Sequence, residues 1–132
     1  MTSISDLVFH APFVARVREG GLDVDLSMPW YRSLPISCLS GLEVKVDGRA
    51  VPADAITLTI GGVTRTVAEC VDAWQEFWFV QDPATVHVDG VVPDGAVRIA
   101  VHLLQRIPYL MVGPDAALPH HTIQEERFEV TR

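Results

Sequence analysis

Apolar and polar residues alternate along most of this chain with a period of two. The clearest runs are residues 13–17 and 22–26, which flank Gly20-Gly21, and residues 97–103, the longest run. Successive strand residues point to opposite faces of a sheet, so each run predicts a β-strand with one buried face. The glycine pair between the first two runs predicts a tight hairpin turn.

Turn-forming residues separate the remaining runs at intervals of roughly ten residues, a spacing typical of all-β sandwiches and barrels. These runs are residues 42–46 before Asp47-Gly48, residues 56–60 before Gly61-Gly62, and residues 85–89. The pattern predicts an antiparallel β-sandwich of about seven to nine short strands, forming a single domain over residues 1–132. We expect its core to lie within about residues 8–110, with residues 111–132 as a C-terminal arm or an extra edge strand.

One segment, near residues 66–74, favours a short helix. Thr66 and Glu69 have the spacing of a capping box, in which each side chain accepts a hydrogen bond from the other residue's backbone N–H. A helix here would place one set of apolar residues on a single face, namely Val67, Cys70, Val71 and Trp74. The sequence therefore predicts two helical turns packed across a sheet edge.

Composition and charge limit the kinds of function this chain can have. Its 132 residues are 48% apolar, enough for one domain with a core, and its formal net charge is −7. An acidic surface disfavours nucleic acids and anionic membranes, and no run of about eighteen apolar residues is present to span a bilayer. The first residues lack the pattern of a secretory signal, and two cysteines are too few for a disulfide framework. We therefore expect a reduced, soluble, cytoplasmic protein.

Few residues have the spacing of a catalytic or metal site. His120-His121 is one histidine pair, but neighbours in an extended segment point in opposite directions, and zinc needs three or four convergent ligands. His87 and His102 lie on the polar faces of predicted strands. Cys70 falls on the apolar side of the predicted helix, where a cysteine behaves as a small hydrophobe. The sequence predicts no metal, no cofactor and no catalytic residue on this chain, which argues against an autonomous enzyme.

One loop combines residue types that are common in protein interfaces. It carries Trp30, Tyr31 and Arg32, and Pro29 and Pro35 flank them. Trp, Tyr and Arg are enriched in interface hot spots, and prolines reduce the entropy that such a loop loses on docking. The same residues are equally consistent with an aromatic corner beneath their own sheet, with Arg32 paired to a carboxylate. Composition alone leaves both interpretations open.

Two further clusters need a covering surface. Residues 106–112, which include Tyr109, follow the longest predicted strand and are too apolar to lie in water. A third aromatic concentration begins at Trp74, where Phe77 and Phe79 alternate with Trp78. Alternating side chains point to both sides of the backbone, so we expect at least one of these two faces to be covered.

The first of these loops, with the strand after it, resembles a known family. Residues 28–37 read Met-Pro-Trp-Tyr-Arg-Ser-Leu-Pro-Ile-Ser, and residues 42–48 read Leu-Glu-Val-Lys-Val-Asp-Gly. This combination resembles the small (β) subunit of bacterial C-glycoside deglycosidases. Weaker matches follow at the Gly61-Gly62 turn and at residues 82–86 and 106–110, so the resemblance covers roughly residues 13–110.

The resemblance implies a β-sandwich subunit that binds a larger α subunit. In the family, the α subunit is a TIM barrel similar to sugar isomerases and holds a divalent metal, often manganese. The complex is a lyase that breaks the carbon–carbon bond between sugar and aglycone in 3-oxo-C-glycosides such as flavonoid C-glucosides. The metal ligands and the catalytic base belong to the α subunit, so the resemblance places none of them on this chain.

The expected function is therefore that of a non-catalytic β subunit in a hetero-oligomer. The residues expected at the partner interface are Pro29, Trp30, Tyr31, Arg32, Pro35 and Tyr109. Two alternatives stay open. One is a stand-alone sandwich that binds carbohydrate or aglycone through Trp30, Tyr31 and Trp78, and the other is a structural domain that assembles with copies of itself through the aromatic loop.

Overall fold

Strands dominate the computed structural model, as the alternating pattern predicts, but their number and length differ from the seven to nine short strands expected: the described residues form eleven strands, and the last two are 18 and 16 residues long. The structure describes residues 8–9, 13–29, 33–113 and 116–132, except for the side chains of residues 108–113 and 116. Within these ranges the strands are Val14–Arg18 (β1), Gly21–Leu26 (β2), Leu34–Pro35 (β3), Leu39–Val46 (β4), Arg49–Ala50 (β5), Ile56–Ile60 (β6), Val63–Arg65 (β7), Phe77–Trp78 (β8), Ala84–Asp89 (β9), Ala96–Gly113 (β10) and Ala116–Thr131 (β11). An α-helix, α1, spans Val67–Cys70, and two 3-10 turns span Ile36–Cys38 and Ala53–Ala55.

The main sheet holds nine of these strands in the order β5-β4-β10-β11-β1-β2-β9-β6-β7, and β3 pairs with β8 in a separate small sheet. The main sheet curls into a half-barrel around one core, so that apolar side chains of β2, β4, β9 and β10 face one another. The all-β class is therefore confirmed. The predicted antiparallel β-sandwich is not confirmed, because one continuous ladder of strands runs from β5 to β7.

The C-terminal strand β11 lies inside the sheet, between β10 and β1. It pairs antiparallel with β10 and parallel with β1, with Val14 opposite Glu129. The Phe128 ring packs against those of Phe9 and Phe13, at centroid distances of 4.8 and 5.6 Å. The sequence predicts a C-terminal arm or an extra edge strand over residues 111–132. In the structure, β11 lies in the interior of the sheet and joins its two halves.

The predicted hairpin turns are confirmed, with one shift of register. Asp47 and Gly48 have φ angles of 50° and 82°, and Glu19 and Gly20 have φ angles of 50° and 74°, as two-residue turns with positive φ require. The first turn therefore uses Glu19-Gly20, and Gly21 begins β2. A Cβ atom on Gly21 would lie 2.5 Å from the carbonyl oxygen of Val88, so this position needs glycine because the strands approach closely.

The helix is shorter than predicted. Its capping box is confirmed, because Thr66 Oγ1 accepts from the Glu69 N–H and Glu69 Oε1 accepts from the Thr66 N–H. The second turn is absent: Ala73 N–H donates to the Cys70 carbonyl, and the Ala73 carbonyl accepts from the Ser37 N–H at 3.2 Å. The backbone thus leaves the helix to bond with the first 3-10 turn.

Within the described ranges, no helix is long and apolar enough to cross a membrane.

Candidate functional site

The loop that carries the predicted interface residues is joined to the main sheet by hydrogen bonds at its start. The Met28 sulfur accepts a hydrogen bond from the buried Gln105 amide at 3.3 Å, which joins the first aromatic loop to β10. His120 Nε2 lies 3.1 Å from the carbonyl oxygen of Pro29, and because a carbonyl only accepts, this nitrogen is the donor. Strands β10 and β11 therefore hold the base of this loop.

The predicted interface residues fall partly outside the described residues. Trp30, Tyr31 and Arg32 are not among them, and only the backbone of Tyr109 is described, within β10. Pro29 is buried at the base of the loop, and Pro35 is half-buried in β3. The two prolines therefore bracket the predicted interface at positions that are fixed by packing and by strand pairing.

The segment from residue 71 to residue 83, which we call the aromatic segment, is joined to the end of that loop by strand pairing and hydrogen bonds. Leu34 pairs with Trp78 and Pro35 pairs with Phe77 in the β3–β8 sheet. The Val80 N–H donates to Ser33 Oγ at 2.8 Å, immediately after the predicted interface residues. The Ile36 N–H donates to the Glu76 carbonyl at 2.8 Å. The end of the loop, at residues 33–35, is therefore bonded directly to the aromatic segment.

Trp78 is the internal anchor of this segment. Its side chain is only 1% exposed, and its indole N–H donates to the Asp82 carbonyl at 2.8 Å, so its polar atom is satisfied inside the protein. The alternative in which Trp78 binds carbohydrate is therefore wrong. Because β8 pairs with β3, alternation turns Trp78 inward and the residues on either side of it outward.

The outward side chains form an exposed apolar surface, which we call the aromatic patch: Trp74, Phe77, Phe79 and Val80. Their exposed fractions are 66%, 44%, 49% and 44%. The rings of Phe77 and Phe79 stack at a centroid distance of 6.1 Å and an interplanar angle of 25°. Alternation predicted the opposite faces of residues 77–79, but the sequence missed Trp74 because a second helical turn would have buried it.

Acidic residues lie close to the aromatic patch along the chain, and on the other side of the segment Arg106 donates to the carbonyl of Ser37, whose N–H donates to the carbonyl of Ala73. The exposed acidic residues of this region are Glu69, Asp72, Glu76 and Asp82. Glu76 accepts from Arg65, and no lysine or arginine occurs between Arg65 and Arg98. The backbone N–H of Thr66 lowers the pKa of Glu69, so this carboxyl group stays ionised at neutral pH. The aromatic patch thus has an acidic rim.

The histidines make pairwise contacts. His120 and His121 point in different directions, as predicted. His121 Nδ1 lies 2.8 Å from His102 Nε2, and the other nitrogen of His102 lies 3.8 Å from Glu43 Oε2. The sequence missed this contact because it comes from the register of β10 on β11. In the part of the chain that the structure describes, no three His, Cys, Asp or Glu side chains converge as metal ligands would.

Both cysteines are free and buried. Burial raises the pKa values of the Cys38 and Cys70 thiols, which disfavours the reactive thiolate. The Cys70 thiol is 3.4 Å from the Thr66 carbonyl, within the first turn of α1. These thiols therefore suit a structural role and not nucleophilic chemistry.

Comparisons with known proteins give a consistent family. The family model of the C-glycoside deglycosidase beta subunit matches residues 12–109. A C-glycoside deglycosidase beta subunit from Arthrobacter globiformis is 38% identical over 107 residues, which cover 80% of each chain. A 3'-dehydrocarminate deglycosidase beta subunit from a Microbacterium species is 38% identical over 96 residues, 72% of this chain and 73% of the relative. A Microbacterium trichothecenolyticum C-glycoside deglycosidase beta subunit is 32% identical over 96 residues, with the same coverage. Their designation as beta subunits implies complexes of more than one subunit.

Proposed function

The chain belongs to the C-glycoside deglycosidase beta-subunit family, and from this membership we propose that it is the non-catalytic β subunit of a heteromeric C-glycoside deglycosidase. Its partner is a larger α subunit, a TIM barrel similar to sugar isomerases. We propose that this α subunit binds a divalent metal, and that the metal is manganese. The complex acts as a lyase on 3-oxo-C-glycosides, such as flavonoid C-glucosides.

The observation that carries this proposal is an exposed aromatic surface, held by backbone hydrogen bonds, at the end of the predicted interface loop. In the part of the chain that the structure describes, the histidines contact one another, a carboxylate or a backbone carbonyl, and the cysteines are buried. Such a chain is suited to binding another protein. We place the metal and the catalytic base on the α subunit, as the resemblance to the family implies.

The reaction assigned to the complex needs a base and an electrophile next to the sugar ketone. The ketone acidifies the neighbouring carbon, which loses its proton to the base, and the metal polarises the keto oxygen when bound. The electron pair of that C–H bond forms a carbon–carbon double bond as the bond to the aglycone breaks, and the aglycone carbon takes up a proton. The β subunit contributes by stabilising the α subunit or by shaping the entrance to its site.

We place this complex in the cytoplasm. Two free, buried thiols are compatible with a reducing compartment, in which protein disulfides are rare. In the predicted interface, Trp30 and Tyr31 supply apolar contact, and Arg32 pairs with a carboxylate of the α subunit.

Co-expression with an α subunit tests the proposal. We expect the two chains to co-purify, and we expect cleavage of a 3-oxo-C-glycoside to require both chains and manganese. The α subunit alone, and the α subunit with an unrelated acidic β-sheet protein, serve as controls. Full activity of the α subunit without this chain, or no association between the two, would contradict the proposal.

A triple substitution of Trp30, Tyr31 and Arg32 by alanine tests the assigned interface residues. We expect association with the α subunit to be lost while thermal stability stays unchanged. Association that survives intact in the triple variant would remove these three residues from the interface.

A further inference from the structure

We propose that the aromatic patch and its acidic rim form a second part of the docking surface for the α subunit, which would offer an apolar surface with basic residues around it. The inference rests on the proposed function and names a part of the interface that lies more than thirty residues beyond the predicted loop.

Exposure is the first argument. Phe77 and Phe79 stack on each other, Trp74 lies three residues before Phe77 in the same segment, and each of the three leaves 44% or more of its surface in water. Contiguous apolar patches of this kind are rare on soluble monomers and mark interaction sites, and aromatic residues dominate interface hot spots. The patch therefore gains free energy when another apolar surface covers it.

Rigidity is the second argument. Trp78 fixes the middle of the segment in the core, and backbone hydrogen bonds to Ser33, Ile36 and Ser37 fix it on either side. The stacked Phe77 and Phe79 rings are thus held in place before any partner arrives. A preorganised surface loses little conformational entropy on binding, which favours affinity.

Charge selects the kind of partner. A two-fold dimer of this chain would bring the patch against itself and place one acidic rim on another, and like charges at an interface are costly. The rim of Glu69, Asp72 and Asp82 instead complements basic side chains on a different protein. The acidic rim therefore favours the α subunit over a second copy of the chain as the partner.

Continuity supplies the last argument. Pro35 pairs with Phe77, and Ser33, which accepts from Val80, directly follows the predicted interface residues. The predicted loop and the aromatic patch therefore meet the same partner face.

The test compares two double variants of the full chain for affinity to the α subunit. Phe77→Ser with Phe79→Ser removes the stacked rings. Ile123→Ser with Val92→Ser removes two exposed apolar side chains elsewhere, one on β11 and one beyond the end of β9. We expect the first variant to bind at least about tenfold more weakly than wild type and the control to bind within twofold.

Charge reversal is an independent test of the docking surface. It remains usable if the Phe77→Ser, Phe79→Ser double variant folds poorly. Asp72→Lys should weaken binding and reduce its dependence on salt, whereas Asp54→Lys, in the second 3-10 turn, should leave both unchanged. Trp74→Ser, at the most exposed ring of the patch, should also weaken binding by about tenfold.

Each outcome decides a specific point. A wild-type chain that does not bind the α subunit overturns the proposed function and this inference with it. A wild-type chain that binds, with patch variants that bind within twofold of it, overturns the patch alone. Loss of self-association in the patch variants, with binding to the α subunit retained, would assign the patch to a second copy of the chain.

Discussion

At the scale of single residues, Trp78 and Phe79 are adjacent aromatic side chains with opposite surroundings. Trp78 is enclosed and its indole N–H is satisfied by Asp82, whereas half of Phe79 lies in water. We expect Trp78→Ala to lower the free energy of unfolding by about 3–5 kcal/mol and Phe79→Ala by about 0.5 kcal/mol. Urea unfolding of both variants measures the difference, and similar losses would show that the packing of this segment differs from that described.

The two cysteines give a second prediction at this scale. Because burial raises the pKa values of the Cys38 and Cys70 thiols, little thiolate is present at pH 8, and the sulfur atoms are also shielded from solvent. We expect a thiol reagent to label the native protein slowly and to label both residues rapidly in urea. Free cysteine under the same conditions is the control. Native labelling at the rate of free cysteine would contradict the structural role of these thiols.

At the scale of elements, the capping box of α1 couples stability to pH. The Thr66 N–H holds the pKa of Glu69 below its ordinary value of 4.5, so the ionised form stabilises the fold. This contribution is complete above pH 4.5 and is lost as the pH falls through the lower pKa of the folded state. We expect the stability difference between wild type and Glu69→Gln, which keeps an acceptor without the charge, to shrink over that range.

The matching substitution removes the other half of the box. Thr66→Ala should cost about 1 kcal/mol at neutral pH, measured by urea unfolding. A difference between wild type and Glu69→Gln that stays constant from neutral pH to pH 3 would show that the charge of Glu69 does not contribute.

The sequence correctly predicts the elements that depend on interactions between neighbouring residues. The Asp47-Gly48 turn and the capping box depend on neighbouring residues, and both are confirmed. The second helical turn fails because the Ala73 carbonyl finds a tertiary partner in Ser37. For the site, alternation correctly separates Trp78 from its neighbours, but no local signal reveals that β3 would bring Phe77 beside the predicted interface loop.

At the scale of the whole molecule, the first and last strands complete the sheet together. Parallel pairing of β1 with β11 is a contact between residues more than a hundred positions apart, and no alternation pattern specifies it. The polar outer face of β11, with Glu125, Arg127 and Glu129, hides its central position, and Phe128 is its one large fully enclosed side chain among the described residues. This is why the sequence predicts a sandwich and the structure is a curled sheet.

The last prediction concerns that closure. Phe128 contacts Phe9 and Phe13, so Phe128→Ala removes the ring that packs the two ends of the chain together. We expect a loss of about 3–5 kcal/mol in the free energy of unfolding, whereas Ile123→Ala, on the same strand but 71% exposed, should change it by about 0.5 kcal/mol or less. Because β11 joins the two halves of one sheet, the variant should still unfold in a single transition in urea. Two separate transitions would show that the halves of the sheet fold independently. Equal losses in the two variants would show that the Phe128 ring does not hold them together.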